Sequence, residues 1–140
     1  MTVTSAGFEI LEHTADVGIR SWGPSLAATF EQACWGLAEI LGARATGTGG
    51  TEHVVGAKAG DREALLVDLL NELILLHETK EAAFTEIEIE DVSETELRAN
   101  VTTLPIAGEA ATTGVKAATY HRLSLRETER GFEAEVYLDV

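Results

Sequence analysis

One segment, residues 62–77, constrains the fold more than any other part of the sequence. Its apolar spacing predicts a helix, for which Asp61 is a suitable N-cap. A helix whose apolar positions cover more than half of its circumference should be buried on most sides. The polar residues Asp68, Asn71 and Glu72 are interpreted as its narrow solvated face. The apolar positions are Leu65, Leu66, Leu69, Leu70, Leu73, Ile74 and Leu76.

A second helix is predicted after the turn sequence Gly-Pro-Ser at 23–25. Apolar residues recur at helical spacing between Leu26 and Leu41, with Ser25 as the N-cap and Gly42 as the end. Cys34 borders the apolar face and is interpreted as a small core residue rather than a nucleophile.

The other regular segments show the alternation or short apolar runs of strands. Loops are predicted at 43–50 and 106–114, and residues 115–121 fit either a short helix or the start of a strand. Two helices separated by strands and hairpins predict an α+β fold, namely a two-layer sandwich with both helices on one face of a mainly antiparallel sheet. A single domain is expected over 1–140. The predicted strands are 8–11, 17–22, 52–59, 84–91, 96–103, 123–128 and 132–139.

Charge and composition exclude several classes of function. The net charge of −14 argues against strong binding to a phosphate backbone and favours cations or a basic protein partner. No apolar stretch is long enough to cross a membrane and no signal peptide is recognisable, so no membrane role is expected. The single cysteine, Cys34, fits a cytoplasmic protein.

The sequence from 132 to 140 alternates between apolar and polar residues up to Val140. A strand of this kind would hold the Asp139 side chain beside the main-chain carboxylate of Val140. Such a cluster of hard oxygen atoms suits Ca²⁺ or Mg²⁺. The alternative is the solvated end of an edge strand.

Four segments carry a family resemblance. They are Glu-His-Thr-Ala-Asp-Val-Gly at 12–18, Leu-Val-Asp-Leu-Leu-Asn-Glu-Leu at 66–73, Val-Lys-Ala-Ala-Thr-Tyr-His at 115–121 and Val-Tyr-Leu-Asp-Val at 136–140. In these segments and their order the chain resembles the archease family, small proteins that assist the GTP-dependent ligase of tRNA splicing. The resemblance implies the same α+β architecture, of the strand-helix-strand-strand type.

The resemblance also implies a metal site, formed by Asp16, Asp139 and the C-terminal residue Val140. It implies an accessory protein that promotes transfer of guanylate from GTP to the ligase and allows repeated turnover. The partner would be the GTP-dependent RNA ligase, with RNA reached only through it. One departure from the family pattern is the segment 110–114, which is shorter and uncharged here.

No catalytic constellation is recognisable in the sequence. A metal-dependent hydrolase that uses the same carboxylates, and a metal-binding chaperone, are the alternatives to an accessory protein. His13 could orient a ligand, accept a proton or serve as a structural hydrogen-bonding residue. Lys116, Thr119, Tyr120 and His121 could form a partner contact or support the metal ligands.

Overall fold

The computed structural model describes residues 5–12, 16–106 and 115–140, which form two helices and seven strands. The predicted loop 106–114, apart from Ile106, lies outside the described residues, as does the short segment 110–114. The elements are β1 (Gly7–Glu12), β2 (Asp16–Gly23), α1 (Leu26–Ile40), β3 (Thr51–Lys58), α2 (Arg62–Lys80), β4 (Ala82–Val92), β5 (Glu96–Pro105), β6 (Ala117–Thr128) and β7 (Gly131–Asp139).

Both helices begin at the predicted caps. The Ser25 hydroxyl accepts a hydrogen bond from the Ala28 N–H at 3.1 Å, and the Asp61 carboxylate accepts one from the Ala64 N–H at 2.8 Å. Each cap pairs one of the N–H groups that a helix start leaves without a partner. Neither helix in the described ranges combines the length and apolar character needed to cross a membrane.

The structure corrects the predicted end of α2 and settles the ambiguous segment before β6. Helix α2 continues past its predicted end at His77 to Lys80. The prediction ended too early because the polar residues of the last turn add no apolar periodicity. Residues 115–121, which fit either a helix or a strand, lead into β6 at Ala117.

The α+β prediction is confirmed, and its strands divide between two antiparallel sheets. The first sheet has the order β1-β2-β7-β6 and the second the order β3-β5-β4. Helix α1 packs on β1, β2 and β7 of the first sheet and on β4 of the second. Helix α2 packs on β6 of the first sheet and on β3, β4 and β5 of the second. Contact with both sheets explains why α2 needs apolar residues around most of its circumference.

Asn71 has a structural role that the sequence did not reveal. Its side-chain oxygen accepts a hydrogen bond from the Ala118 N–H at 2.8 Å, and its amide nitrogen donates to the Ala118 C=O at 3.4 Å. Because β6 is an edge strand, Asn71 supplies hydrogen bonds that a further strand would otherwise make. The residue therefore fastens α2 to β6 rather than facing solvent.

Asn71→Ala is expected to lower the free energy of unfolding by about 1–3 kcal/mol, because it leaves both main-chain groups of buried Ala118 without this partner. Denaturant unfolding would measure the loss. Glu72→Ala, one residue further along and exposed, should change it by no more than about 0.5 kcal/mol. Equal effects of the two substitutions would contradict this role for Asn71.

Candidate metal centre

The two aspartates that are predicted as metal ligands lie opposite each other on neighbouring strands. Asp16, the first residue of β2, pairs in register with Asp139, the last residue of β7. Residues directly opposed in antiparallel strands have Cβ atoms about 4.5–5.5 Å apart, with side chains on the same face. On the other side of Asp139 the register partner is Ala117 of β6, whose small side chain leaves room beside the carboxylates.

The carboxylate pair lies on the face of the first sheet that is turned away from the helices. Val136 and Leu138, which alternate with Asp139 along β7, belong to the hydrophobic core. Since side chains alternate along a strand, Asp139 points to the opposite face. Asp139 is exposed and Asp16 is partly buried, so a cation could reach the pair from solvent.

The main chain is held in the sheet up to Asp139. The Lys116 N–H donates to the Asp139 C=O at 2.8 Å, and Val140 follows directly with 43% of its surface exposed. Val140 therefore follows a residue whose backbone is held in the sheet. Asp16 and Asp139 are brought together, and Val140 lies next to them in the chain.

The donor chemistry of this pair fits a hard divalent cation. Like charges directly opposite each other destabilise a sheet, and neither aspartate has an ion-pair partner among the described residues. In the described part of the chain, no three His, Cys, Asp or Glu side chains form a metal-binding group. The main-chain carboxylate of Val140 stays the predicted third protein ligand. Ca²⁺ and Mg²⁺ both accept carboxylate oxygens of this kind.

Tyr137 forms a rigid platform beside the carboxylate pair. It is only 2% exposed, although it lies on the open face of the sheet. Its ring occupies the space over Gly18, its register partner, where an added Cβ would lie 2.6 Å from the ring. The Arg122 guanidinium covers the ring, 5.1 Å from the centroid. Burial raises the pKa of Tyr137, and Glu135 and Asp16 raise it further.

A bulge in β6 places three residues next to this platform. Thr119 pairs with Tyr137, but the next pairing is Ser124 with Glu135, so β6 has three more residues than β7 over this interval. Tyr120, His121 and Arg122 fill the bulge, and all three are exposed. The Thr119 hydroxyl donates to the Tyr137 C=O at 3.0 Å and accepts from the His121 N–H at 3.3 Å, which fixes the bulge at its start.

Arg122 and Tyr137 were not among the residues predicted from the sequence. Apolar alternation fails between Val115 and Leu123, and that failure is the signal that could have indicated a bulge there. Nothing in the local sequence predicts that a tyrosine on the open face would pack over a glycine of a distant strand.

The other candidate residues have structural explanations or lie outside the described ranges. His13 lies outside the described ranges. His77 makes a 2.8 Å hydrogen bond with the Ala82 C=O, and His53 one of 3.0 Å with the Thr103 hydroxyl. Cys34 is fully buried, and burial raises the pKa of its thiol, so it is unsuited to act as a nucleophile.

Comparison with known proteins gives one consistent family. The model of the Archease protein family (MTH1598/TM1083) matches residues 8–140. A protein named archease from Methanosarcina mazei is 33% identical over 140 residues, covering 95% of each chain. An archease from Methanothermobacter thermautotrophicus is 29% identical over 141 residues, covering 96% of this chain and 99% of the relative.

Two solved structures share the fold. The solution structure of protein 1598 from Methanobacterium thermoautotrophicum has a TM-score of 0.73 and 27% identity, covering 96% of this chain and 99% of that one. The crystal structure of an archease, described as a possible chaperone, from Thermotoga maritima has a TM-score of 0.57 and 21% identity, covering 93% and 94%. With a family model that spans nearly the whole sequence and relatives of matching length, the chain belongs to the archease family.

Proposed function

We propose that this protein is an accessory protein of an RNA-splicing or RNA-repair ligase. It promotes guanylylation of the ligase and multiple turnover through a divalent cation, Ca²⁺ or Mg²⁺, bound by carboxylates. The observation that supports this proposal is the register pairing of Asp16 with Asp139 at the end of β7, in a chain of the archease family. The protein itself is not an enzyme in this proposal.

The residues of the site have separate roles in this proposal. Asp16 and Asp139 would hold the cation from two neighbouring strands, and the Val140 carboxylate would complete the protein ligands. A divalent cation supplies neutralisation of charge on phosphate oxygens, which favours phosphoryl and nucleotidyl transfer. The open sheet face lets a ligase approach the pair, and the net charge of −14 favours an encounter with a basic surface.

Ligase assays with purified components test the proposal. The protein should raise the yield of guanylylated ligase and the number of RNA joining events per ligase in the presence of divalent cation. Asp16→Asn or Asp139→Asn should remove this stimulation. Stimulation that is unchanged by both substitutions would contradict a carboxylate-bound cation. Cleavage or modification of end-labelled RNA without ligase would instead favour the metal-dependent hydrolase.

A chaperone function is the second candidate, and its support is the description of the Thermotoga maritima structure as a possible chaperone. Suppression of thermal aggregation of unrelated proteins, at ratios near one to one, would favour it. Under the accessory-protein proposal, only the ligase is expected to respond to the protein.

A C-terminal tag is expected to weaken both metal binding and ligase stimulation. The tag converts the Val140 carboxylate into a neutral amide carbonyl, which removes one formal charge and bidentate coordination. Calorimetric titration and the turnover assay would measure the two effects, and thermal unfolding in chelator should stay close to that of the untagged protein. An N-terminal tag, which leaves all three ligands unchanged, is the control. Equal stimulation by the two tagged proteins would show that the terminal carboxylate has no role.

A further inference from the structure

The bulge of β6 is a cationic and aromatic projection on a strongly acidic protein. Tyr120 is 66% exposed, and His121 and Arg122 are exposed beside it, on a chain of net charge −14. Arg122 has no salt bridge with any residue that the structure describes, whereas Arg126, further along the same strand, is paired with Glu133 at 2.8 Å. The bulge therefore presents a guanidinium that has no ion-pair partner among the described residues, beside an exposed aromatic ring.

The conformation of the bulge holds these groups in place. Arg122 has φ of 57°, a left-handed conformation that is uncommon for a residue other than glycine. Its guanidinium lies over the ring of Tyr137, and this contact does not occupy the N–H donors of the guanidinium. Strained backbone of this kind concentrates at functional sites, where the surrounding structure maintains it.

The bulge and the carboxylate pair flank the same platform. Tyr137 and Asp139 are two residues apart on the same face of β7, a separation of about 7 Å along the strand. Asp16 is two residues from Gly18, over which the Tyr137 ring lies, and the Arg122 guanidinium lies over the same ring. Positive and negative groups thus approach one small area from two sides.

A phosphate group accompanied by a divalent cation could interact with both the carboxylate pair and the bulge. Two side-chain carboxylates and one terminal carboxylate leave coordination positions of Mg²⁺ or Ca²⁺ open, and Mg²⁺ in particular is commonly shared between protein carboxylates and substrate phosphates. Arg122 and His121 would meet the remaining phosphate oxygens, since a guanidinium matches the geometry of phosphate.

We propose that the Tyr120–Arg122 bulge and the Asp16–Asp139 pair together bind the phosphate of a nucleotide, with the Tyr120 ring stacking on its base. Exposed aromatic side chains stack on bases of any sequence, and arginine beside them contacts the backbone. The inference rests on the proposed function for the source of the nucleotide, which is either GTP or a phosphate-ended RNA held by the ligase.

Direct binding measurements on the full chain test the inference without the ligase. The probes are GTP, GMP, and two otherwise identical short RNAs ending in a 3′-phosphate or a 3′-hydroxyl, each with Ca²⁺ and again with chelator. Phosphorus NMR detects weak binding of the phosphate, and calorimetry measures Ca²⁺ affinity separately. The double variant Tyr120→Ala/His121→Gln removes exposed groups only, and Arg122→Gln removes the guanidinium. Arg126→Gln removes the same charge from the same strand and is the matched control.

The parent protein should bind at least one phosphate probe in a Ca²⁺-dependent manner. Both bulge variants should bind it about tenfold more weakly, while their Ca²⁺ affinity and that of Arg126→Gln stay near the parent value. Preference for GTP over GMP, or for the 3′-phosphate RNA over the 3′-hydroxyl RNA, identifies the source. Absence of binding by the parent at millimolar probe, or equal binding by parent and bulge variants, would overturn the inference.

The inference and the proposed function fail in different ways. A parent protein that stimulates the ligase but binds none of the probes would overturn the nucleotide site and leave the accessory function standing. A parent protein that binds a probe through the bulge but never stimulates a ligase would support the site and overturn the accessory function.

Discussion

Asp16→Ala and Asp139→Ala are each expected to abolish binding of divalent cations. The two carboxylates lie opposite each other across the β2–β7 ladder, so in the proposed site each would supply ligand atoms to the same cation. Calorimetric titration with Ca²⁺ and Mg²⁺ would measure the loss. Saturation of the parent at 100 times its dissociation constant should stabilise it by about 2.7 kcal/mol, and neither variant should gain this stability.

In chelator, without bound cation, the parent is not expected to be more stable than the two aspartate variants. Removing one of two opposed negative charges relieves their repulsion, so each variant should unfold at the same temperature as the parent or slightly above it. Glu127→Ala, which removes an exposed carboxylate from β6, serves as the control and should leave cation affinity unchanged. Identical cation affinities for the parent and the two aspartate variants would rule out the metal centre.

Leu69→Ala and Leu73→Ala are each expected to lower the free energy of unfolding by about 2–5 kcal/mol, the usual range for a large-to-small change in a packed core. Both side chains are completely buried in α2, which packs against both sheets. The denaturant midpoint, at unchanged denaturant dependence, would report the loss.

Leu75→Ala is the matched control for this prediction. Leu75 lies on the same helix between the two core positions and the helix end, but it is 53% exposed. Its truncation should change stability by no more than about 0.5 kcal/mol. A midpoint shift at Leu69 or Leu73 as small as that at Leu75 would mean that α2 is peripheral to the core.

The helices were predictable because their apolar spacing and caps are local properties of the sequence. Ser25 and Asp61 each precede apolar residues at helical spacing, and both act as N-caps. The division of the strands between two sheets was not predictable in this way. It depends on which strands pair over long separations, and that information is absent from the period of any single strand.

The candidate site was predictable only in part for the same reason. Alternation along β7 places Asp139 on a polar face, but the opposition of Asp16 depends on the register between two distant strands. The family resemblance supplied that pairing as an expectation. The bulge at Tyr120–Arg122 was not predicted, because the break in apolar alternation that marks it also fits a short helix or the start of a strand.

The position of β7 has a consequence for how the chain reaches its folded state. This strand comes last among the seven in chain order, yet it lies inside the first sheet, between β2 and β6. The hairpin β1–β2 and the strand β6 therefore have no shared sheet until β7 inserts between them. Contacts between residues so far apart in the chain close slowly, since the loop entropy is lost before the contacts form. Because β6 and β7 form a local hairpin, we expect folding to be limited by the pairing of β7 with β2, with a transient state whose β2 and β7 edges are open to pairing with other chains.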